Sequence, residues 1–158
     1  MTVPGTSEVA GFDGVYREHL LPITRLAFLL VRSQAVAEDL AHDAFVRLYE
    51  HRDDVYNPPG FVRTAVVRLA ITWQERRRRE ERHVTAVGGA DQTVDGPEID
   101  ETWAAMGRLA PERATVLVLR FYADMAYDEI AEMLGCSPAT ARSRARRALS
   151  DLREELKR

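Results

Sequence analysis

The stretch Tyr127–Leu149 reads YDEIAEMLGCSPATARSRARRAL, and the architecture follows from it. Ile130, Ala131 and Leu134 recur at helical spacing and predict a short amphipathic helix. Gly135 stops that helix, because glycine tolerates the left-handed backbone a helix end often requires. Ser137 is a good N-cap for a second helix, and Pro138 suits its first position, where a missing N–H costs nothing. The second helix carries Ala141, Ala145, Ala148 and Leu149 on one side, with Arg142, Arg144, Arg146 and Arg147 over the rest. Two short helices around a glycine turn, the second rich in arginine, describe a helix-turn-helix.

An arginine-rich face is by itself an ordinary solvated surface. Small residues tip the balance here. Ala131, Gly135, Ala141 and Ala145 let two helices cross closely, which a solvated hairpin does not need. Thr140 and Ser143 add hydroxyls near the N-terminal end of the second helix, where phosphates and base edges are met. The stretch is therefore read as DNA-binding.

Working outward, 158 residues make one domain or two small ones, and 46% hydrophobic residues support a packed core. No run approaches the roughly 20 apolar residues of a membrane span. MTVPGTSEVAGFDG at the start lacks a basic region followed by an apolar block, so no signal peptide is expected. The single Cys136 cannot form an internal disulfide, which suits a reducing cytoplasm. In the turn it is expected to be a small buried residue rather than a redox or metal site.

A net charge of −3 sits oddly with DNA binding, but the distribution resolves this. Met1–Arg82 carries twelve basic and twelve acidic residues; His83–Ala105 carries five acidic and no Lys or Arg; Met106–Arg158 carries ten basic and eight acidic. Two nearly balanced blocks flank an acidic connector. Weak net charge predicts weak non-specific DNA binding by the isolated chain, so a partner is expected to supply most of the affinity.

Met1–Gly11 is expected to be a frayed polar tail. A first helix is predicted from Asp13 or Gly14 to about Val31, buried through Val15, Leu20, Ile23, Leu26, Ala27 and Leu30, with a bend or break at Pro22. Ser33 should cap a second, Gln34 to Glu50, with Val36, Leu40, Ala44, Phe45 and Leu48 inward. Asp39, His42, Asp43 and Val46 share another of its faces, which surface charge with an Asp43–Arg47 pair explains equally well.

Asn57-Pro58-Pro59-Gly60 breaks the chain before a third helix, Gly60 to Arg82, with Phe61, Val62, Ala65, Val66, Leu69, Ala70 and Trp73 apolar. Arg63, Arg68, Arg76, Arg77, Arg78, Arg79 and Arg82 make it strongly basic. Aromatic rings among arginines suit a strand with exposed bases, because a base stacks while arginine holds phosphate. Four consecutive arginines exceed what a helix dipole needs.

His83–Pro97, with Gly88, Gly89, Gly96 and Pro97, is read as a flexible acidic linker. Helices are expected over Glu98–Arg108, anchored by Ile99, Trp103 and Met106, and from Leu109–Glu112 to about Tyr122, burying Val116, Leu119 and Phe121. No strand pattern occurs. The fold class is all-α: two small helical domains, 12–82 with three helices and 98–158 with four, joined by the linker 83–97.

Three blocks together resemble the sigma-70 family of RNA polymerase sigma factors, in its extracytoplasmic-function (ECF) group. AEDLAHDAFVRLYE, Ala37–Glu50, resembles the region 2 helix that binds the clamp helices of the polymerase largest subunit. PPGFVRTAVVRLAITWQERRRR, Pro58–Arg79, resembles the segment that opens and reads the −10 element. LAPERATVLVLRFYADMAYDEIAEMLGCSPATARSRARRAL, Leu109–Leu149, resembles region 4, which reads the −35 element.

The resemblance implies a promoter-specificity factor, not an enzyme, working in the cytoplasm with core RNA polymerase and promoter DNA and needing no cofactor or metal. Asp39, His42, Asp43 and Val46 fall on the implied polymerase-binding face, His42 standing where glutamine is common. Asn57 and Phe61 bound the implied capture loop for a flipped −10 base, with Arg63, Arg68, Trp73 and Arg76, Arg77, Arg78 and Arg79 along the strand; Arg68 stands where relatives often have asparagine. Ser137, Thr140, Arg142, Ser143, Arg144, Arg146 and Arg147 fall to the −35 element, with Thr140 near the backbone; if Arg144 reads a guanine, replacing it should cost ~1–3 kcal/mol and relax specificity at one position. Region 4 would also meet the flap of the second-largest subunit. The acidic linker is similar to one that threads the polymerase RNA channel, although solubility explains its charge equally well. Two separable domains also suit a clamping anti-sigma factor, with no membrane insertion.

Two other classes fit the sequence less well. A conventional helix-turn-helix regulator would bind duplex DNA tightly without polymerase, which the near-neutral domains argue against. A nucleic-acid enzyme is disfavoured by scattered histidines and by the lack of a phosphate loop or metal-ligand spacing.

Overall fold

Side-chain caps set out three of the helices. In the computed structural model, which describes residues 6–83 and 101–158, the chain forms seven α-helices with no strand among the described residues. They are α1 (Thr6–Val31), α2 (Gln34–Glu50), α3 (Pro58–His83), α4 (Glu101–Arg108), α5 (Pro111–Leu117), α6 (Tyr127–Leu134) and α7 (Pro138–Leu156). The chain divides into two compact units, one within Met1–Gln92 and the other within Thr93–Arg158. The linker expected at 83–97 lies outside the described residues apart from His83, which ends α3. Ile99 lies outside them too, and α4 begins at Glu101.

In the first unit α1, α2 and α3 pack against one another. Ile23, Leu26, Ala27 and Leu30 of α1 meet Ala37, Ala41, Ala44, Phe45 and Leu48 of α2, and Val62, Val66, Val67 and Ala70 of α3. Val15, Leu20, Val36, Leu40, Leu69 and Trp73 are only half-buried and line the edge of this core. Helix α1 departs from expectation twice. It starts at Thr6, so residues 6–11 are helical rather than a frayed tail. Ring contacts help to explain this: Phe12 packs edge-on to Tyr49 at 5.2 Å and stacks with Tyr16 at 6.2 Å, while Tyr16 meets Phe45 at 5.1 Å. The helix also runs through Pro22 without a break. Pro22 lies on the exposed side, where the carbonyl it leaves unbonded is not trapped in the core.

Helix α1 ends at Arg32, a left-handed residue (φ 59°) whose N–H donates to the Phe28 carbonyl at 2.7 Å. Burial lowers the Arg32 pKa from its ordinary value. Ser33 then caps α2, its hydroxyl accepting the Val36 N–H. The Asp43–Arg47 pair is not among the ion pairs of the described residues; the α2 end is closed by the His51 N–H donating to the Arg47 carbonyl. Helix α3 starts two residues earlier than expected, at Pro58, because Asn57 caps it through Oδ1 to the Gly60 N–H at 3.3 Å. A Cβ on Gly60 would stand 2.6 Å from Asn57 Nδ2, so glycine lets this cap close.

In the second unit α4 and α5 pack on α7, and α6 packs on α7. The core holds Ala105, Met106, Leu109, Val116, Leu117, Leu119, Met125 and Ile130, with Ala141, Ala145 and Ala148 from α7. Two cross-links tie its ends: Arg108 pairs with Glu155 at 2.8 Å, and Arg113 pairs with Asp151. Helix α5 does not continue as a regular helix to Tyr122. Val118–Tyr122 forms a π-helical turn, with Ala123 N–H donating to the Val118 carbonyl at 3.0 Å. This turn rotates Phe121 out of the core, leaving it 60% exposed where burial was expected.

Candidate nucleic-acid interface

Helices α6 and α7 form the expected helix-turn-helix. Gly135 adopts φ 67° and ends α6. Its N–H and that of Cys136 both reach the Ala131 carbonyl, which closes the turn by the helix-stop pattern glycine favours. The Ser137 hydroxyl accepts the Thr140 N–H at 3.1 Å and lies 2.9 Å from the Thr140 hydroxyl. Thr140 is half-buried and engaged in this cap, while Ser137 is exposed. Cys136 is half-buried rather than fully buried.

Helix α7 is two-sided. Ala141, Ala145 and Ala148 are buried, and their small side chains let α6 and α7 approach closely. Arg142, Ser143, Arg144, Arg146 and Arg147 are all exposed. None of these four arginines forms an ion pair among the described residues, whereas Arg108 and Arg113 in the same unit are neutralised. At about 3.6 residues per turn, Ala139, Ser143 and Arg147 form one row opposite the buried alanines, with Arg146 beside it. Arg142 and Arg144 project to the two flanks of that row. The outward surface therefore carries Ser143 with Arg146 and Arg147 at its centre and Arg142 and Arg144 on its flanks, a basic face suited to a groove between two phosphate chains.

The first unit carries a second basic surface on α3, and the structure divides what the sequence groups together. Arg68 and Arg79 lie about three turns apart on one exposed line, with Arg76 alongside. Trp73, Arg77 and Glu81 make a separate set: the Arg77 guanidinium lies 5.2 Å from the Trp73 ring centre, and its Nε meets Glu81 Oε1 at 3.3 Å. Arg78 is half-buried, and so is Arg63, which lies nearer the start of α3 than the basic end. Arg79 Nε donates to the Glu75 carbonyl at 3.4 Å.

At the head of α3, Asn57 is exposed but occupied by its cap. Phe61 is half-buried against the His51 ring at 6.1 Å. Tyr56, beside Asn57, projects fully into solvent. The sequence reading passed over it, although an aromatic residue next to a proline break was the available signal. A third surface lies on α2, where Asp39, His42, Asp43 and Val46 are all exposed on one side. No group of His, Cys, Asp and Glu able to hold a metal occurs among the described residues.

Comparisons with known proteins follow this division. A family model described as sigma-70 region 2 matches residues 15–80, and one described as sigma-70 region 4 matches residues 99–152. The RNA polymerase sigma-E factor of Streptomyces avermitilis is 30% identical over 155 residues, covering 94% of this chain and 87% of the relative. The ECF RNA polymerase sigma factor SigL of Mycobacterium tuberculosis is 27% identical over 158 residues, covering 93% of this chain and 89% of the relative. Among solved structures, the sigma factor RpoE of Bartonella quintana, crystallised with the anti-sigma factor NepR, has the same fold. It matches with a TM-score of 0.68 over 93% of this chain and 97% of that one, at 21% identity.

Proposed function

The chain belongs to the sigma-70 family of RNA polymerase sigma factors, in the ECF group, and from that premise we propose how its surfaces direct polymerase to promoters. The observation that carries the reading is the helix-turn-helix capped at Gly135 and Ser137, whose α7 presents four exposed arginines with no ion pair among the described residues. Core RNA polymerase supplies the nucleotidyl-transfer chemistry. This chain supplies recognition and works in the cytoplasm where polymerase acts. No helix among the described residues is long and apolar enough to cross a membrane.

In this reading the first unit binds core polymerase through Asp39, His42, Asp43 and Val46 of α2, which meet the clamp helices. The second unit lays α7 in the major groove at the −35 element and also meets the polymerase flap. Ser143 and Arg147, in the central row, take the base edges, while Arg142 and Arg144 on the flanks grip phosphates. Arg146 serves on either side, and Ser137 and Thr140 hold the N-terminus of α7 against the backbone.

On α3, Arg68, Arg76 and Arg79 track the −10 strand, and Trp73 with Arg77 offers a stacking edge. Arg78 and Arg63 support that surface from half-buried positions. The Asn57–Phe61 loop receives a flipped base. Extruding a base costs a few kcal/mol, which attachment to polymerase helps to offset. Near-neutral units make that attachment necessary. An anti-sigma factor is a fitting regulator, as one binds the structurally similar Bartonella protein.

Reconstituted transcription tests the reading. The purified chain is mixed with bacterial core RNA polymerase and a genomic fragment library, and transcript starts are mapped. Discrete starts that share two upstream elements are expected. Tight duplex binding by the free chain, with no association with core, would overturn the reading in favour of a conventional regulator.

A further inference from the structure

Helices α6 and α7 are anchored in different ways. Ser137 fixes the start of α7 with its own hydroxyl. The equivalent position of α6 is Ala126, whose side chain cannot cap a helix. Something else must hold the start of α6, and the structure shows what does. Arg120, half-buried in the π-helical turn, donates from Nη1 to the Met125 carbonyl at 3.1 Å. Its guanidinium also lies 4.9 Å from the centre of the Tyr127 ring. Met125 and Tyr127 flank Ala126, so one side chain clamps the chain on both sides of the cap.

The rest of the connection is built to suit this clamp. The Met125 side chain is almost fully buried, and its N–H donates to the Leu119 carbonyl at 3.0 Å. Asp124 takes a left-handed conformation (φ 54°) that turns the chain back toward Arg120. A planar guanidinium with several donors gives a directed hydrogen bond and lies over a ring at once. From α6 the placement passes to α7, because Ile130 and Ala131 are buried where α6 packs on α7 and its small buried residues.

We propose that Arg120 is a positioning residue for −35 recognition: without touching DNA, it sets the angle at which the helix-turn-helix enters the groove. The proposal rests on the promoter reading above. Base readout needs α7 placed to within a fraction of an ångström, whereas phosphate attraction tolerates a tilt. Loss of the clamp therefore weakens discrimination between sequences more than it weakens binding as such.

The test uses the full chain assembled with core RNA polymerase, a promoter fragment found by the transcription mapping, and the same fragment with its −35 element scrambled. Arg120→Met keeps the aliphatic stem and removes the clamp. Arg120→Lys keeps the charge and one donor. The wild type is expected to bind the intact fragment far more tightly than the scrambled one. Arg120→Met is expected to lower that preference about tenfold while leaving affinity for the scrambled fragment unchanged, and Arg120→Lys to restore part of it. Circular dichroism and thermal melting are run on each variant; should Arg120→Met not fold, Arg120→Lys is expected to show a preference below wild type with its fold intact. The proposal is overturned if folded variants keep the full preference. It is also overturned if both fragments lose affinity equally and in step with melting temperature, which a purely structural role would produce. A wild-type complex with no preference would refute the promoter reading itself.

Discussion

Replacing Gln74 with methionine removes a buried hydrogen bond between two helices of the first unit. Gln74 is 7% exposed in α3, and its Nε2 donates to the Leu30 carbonyl at 2.6 Å. Leu30 lies in the last turn of α1, where carbonyls have no partner within the helix. The glutamine thus satisfies a buried acceptor 44 positions away in the chain. Methionine has nearly the same length and volume, so no large cavity opens. What is lost is the donor to a carbonyl that stays buried, a penalty of ~1–3 kcal/mol. Removing the glutamine amide from a buried site offsets part of this, which leaves about 1–2 kcal/mol. In a unit of this size each kcal/mol lowers the melting temperature by roughly 4–8 °C, so a fall of roughly 5–15 °C is expected. Trp73 fluorescence in a Trp103→Phe background follows the first unit alone during thermal unfolding. A fall below about 2 °C would show that the Leu30 carbonyl does not depend on Gln74, and the reasoning would fail.

Other expectations concern the DNA surfaces. Arg147→Gln should cost ~1–3 kcal/mol on a matched promoter and relax preference at one −35 position, while Arg144→Gln should weaken all promoters alike; holoenzyme binding to a set of single-base −35 variants separates the two. Arg76→Ala removes an exposed cation and should reduce the slope of log affinity against log salt by about one, measured by gel shift; equal slopes for variant and wild type would remove Arg76 from the phosphate contacts. Gly135→Ala meets no neighbouring atom, so its cost is conformational alone, ~1–2 kcal/mol from the left-handed backbone. Melting followed through Trp103 in a Trp73→Phe background should show it, and an unchanged midpoint would mean that the turn can relax.

The candidate site was legible where its signals are short-range. Glycine and serine caps, alanine spacing and arginine periodicity act within about one helical turn, so the helix-turn-helix could be placed residue by residue. The basic end of α3 was legible as charge but not as geometry. Four consecutive arginines wind around the helix, and only packing decides that Arg76 and Arg79 face solvent, while Arg77 turns to Trp73 and Glu81. The polar surfaces of α2 were visible as a shared face, yet nothing local could show that the Asp43–Arg47 pair does not form.

By itself the sequence determined that this chain is all-helical, where α2 lies, where α6 stops and α7 starts, and which helices carry the arginines, because those properties depend on neighbours three or four positions apart. Tertiary structure alone decided the rest. Helix α1 continues through Pro22 and back to Thr6, with Pro22 on the exposed side and Phe12 packed on a ring from α2. Val118–Tyr122 opens into a π-helical turn that turns Phe121 outward and Arg120 toward Met125 and Tyr127. Gln74 finds the end of a helix remote from it in sequence. Each of these outcomes depends on what a distant segment places beside the residue, and no local pattern carries that information.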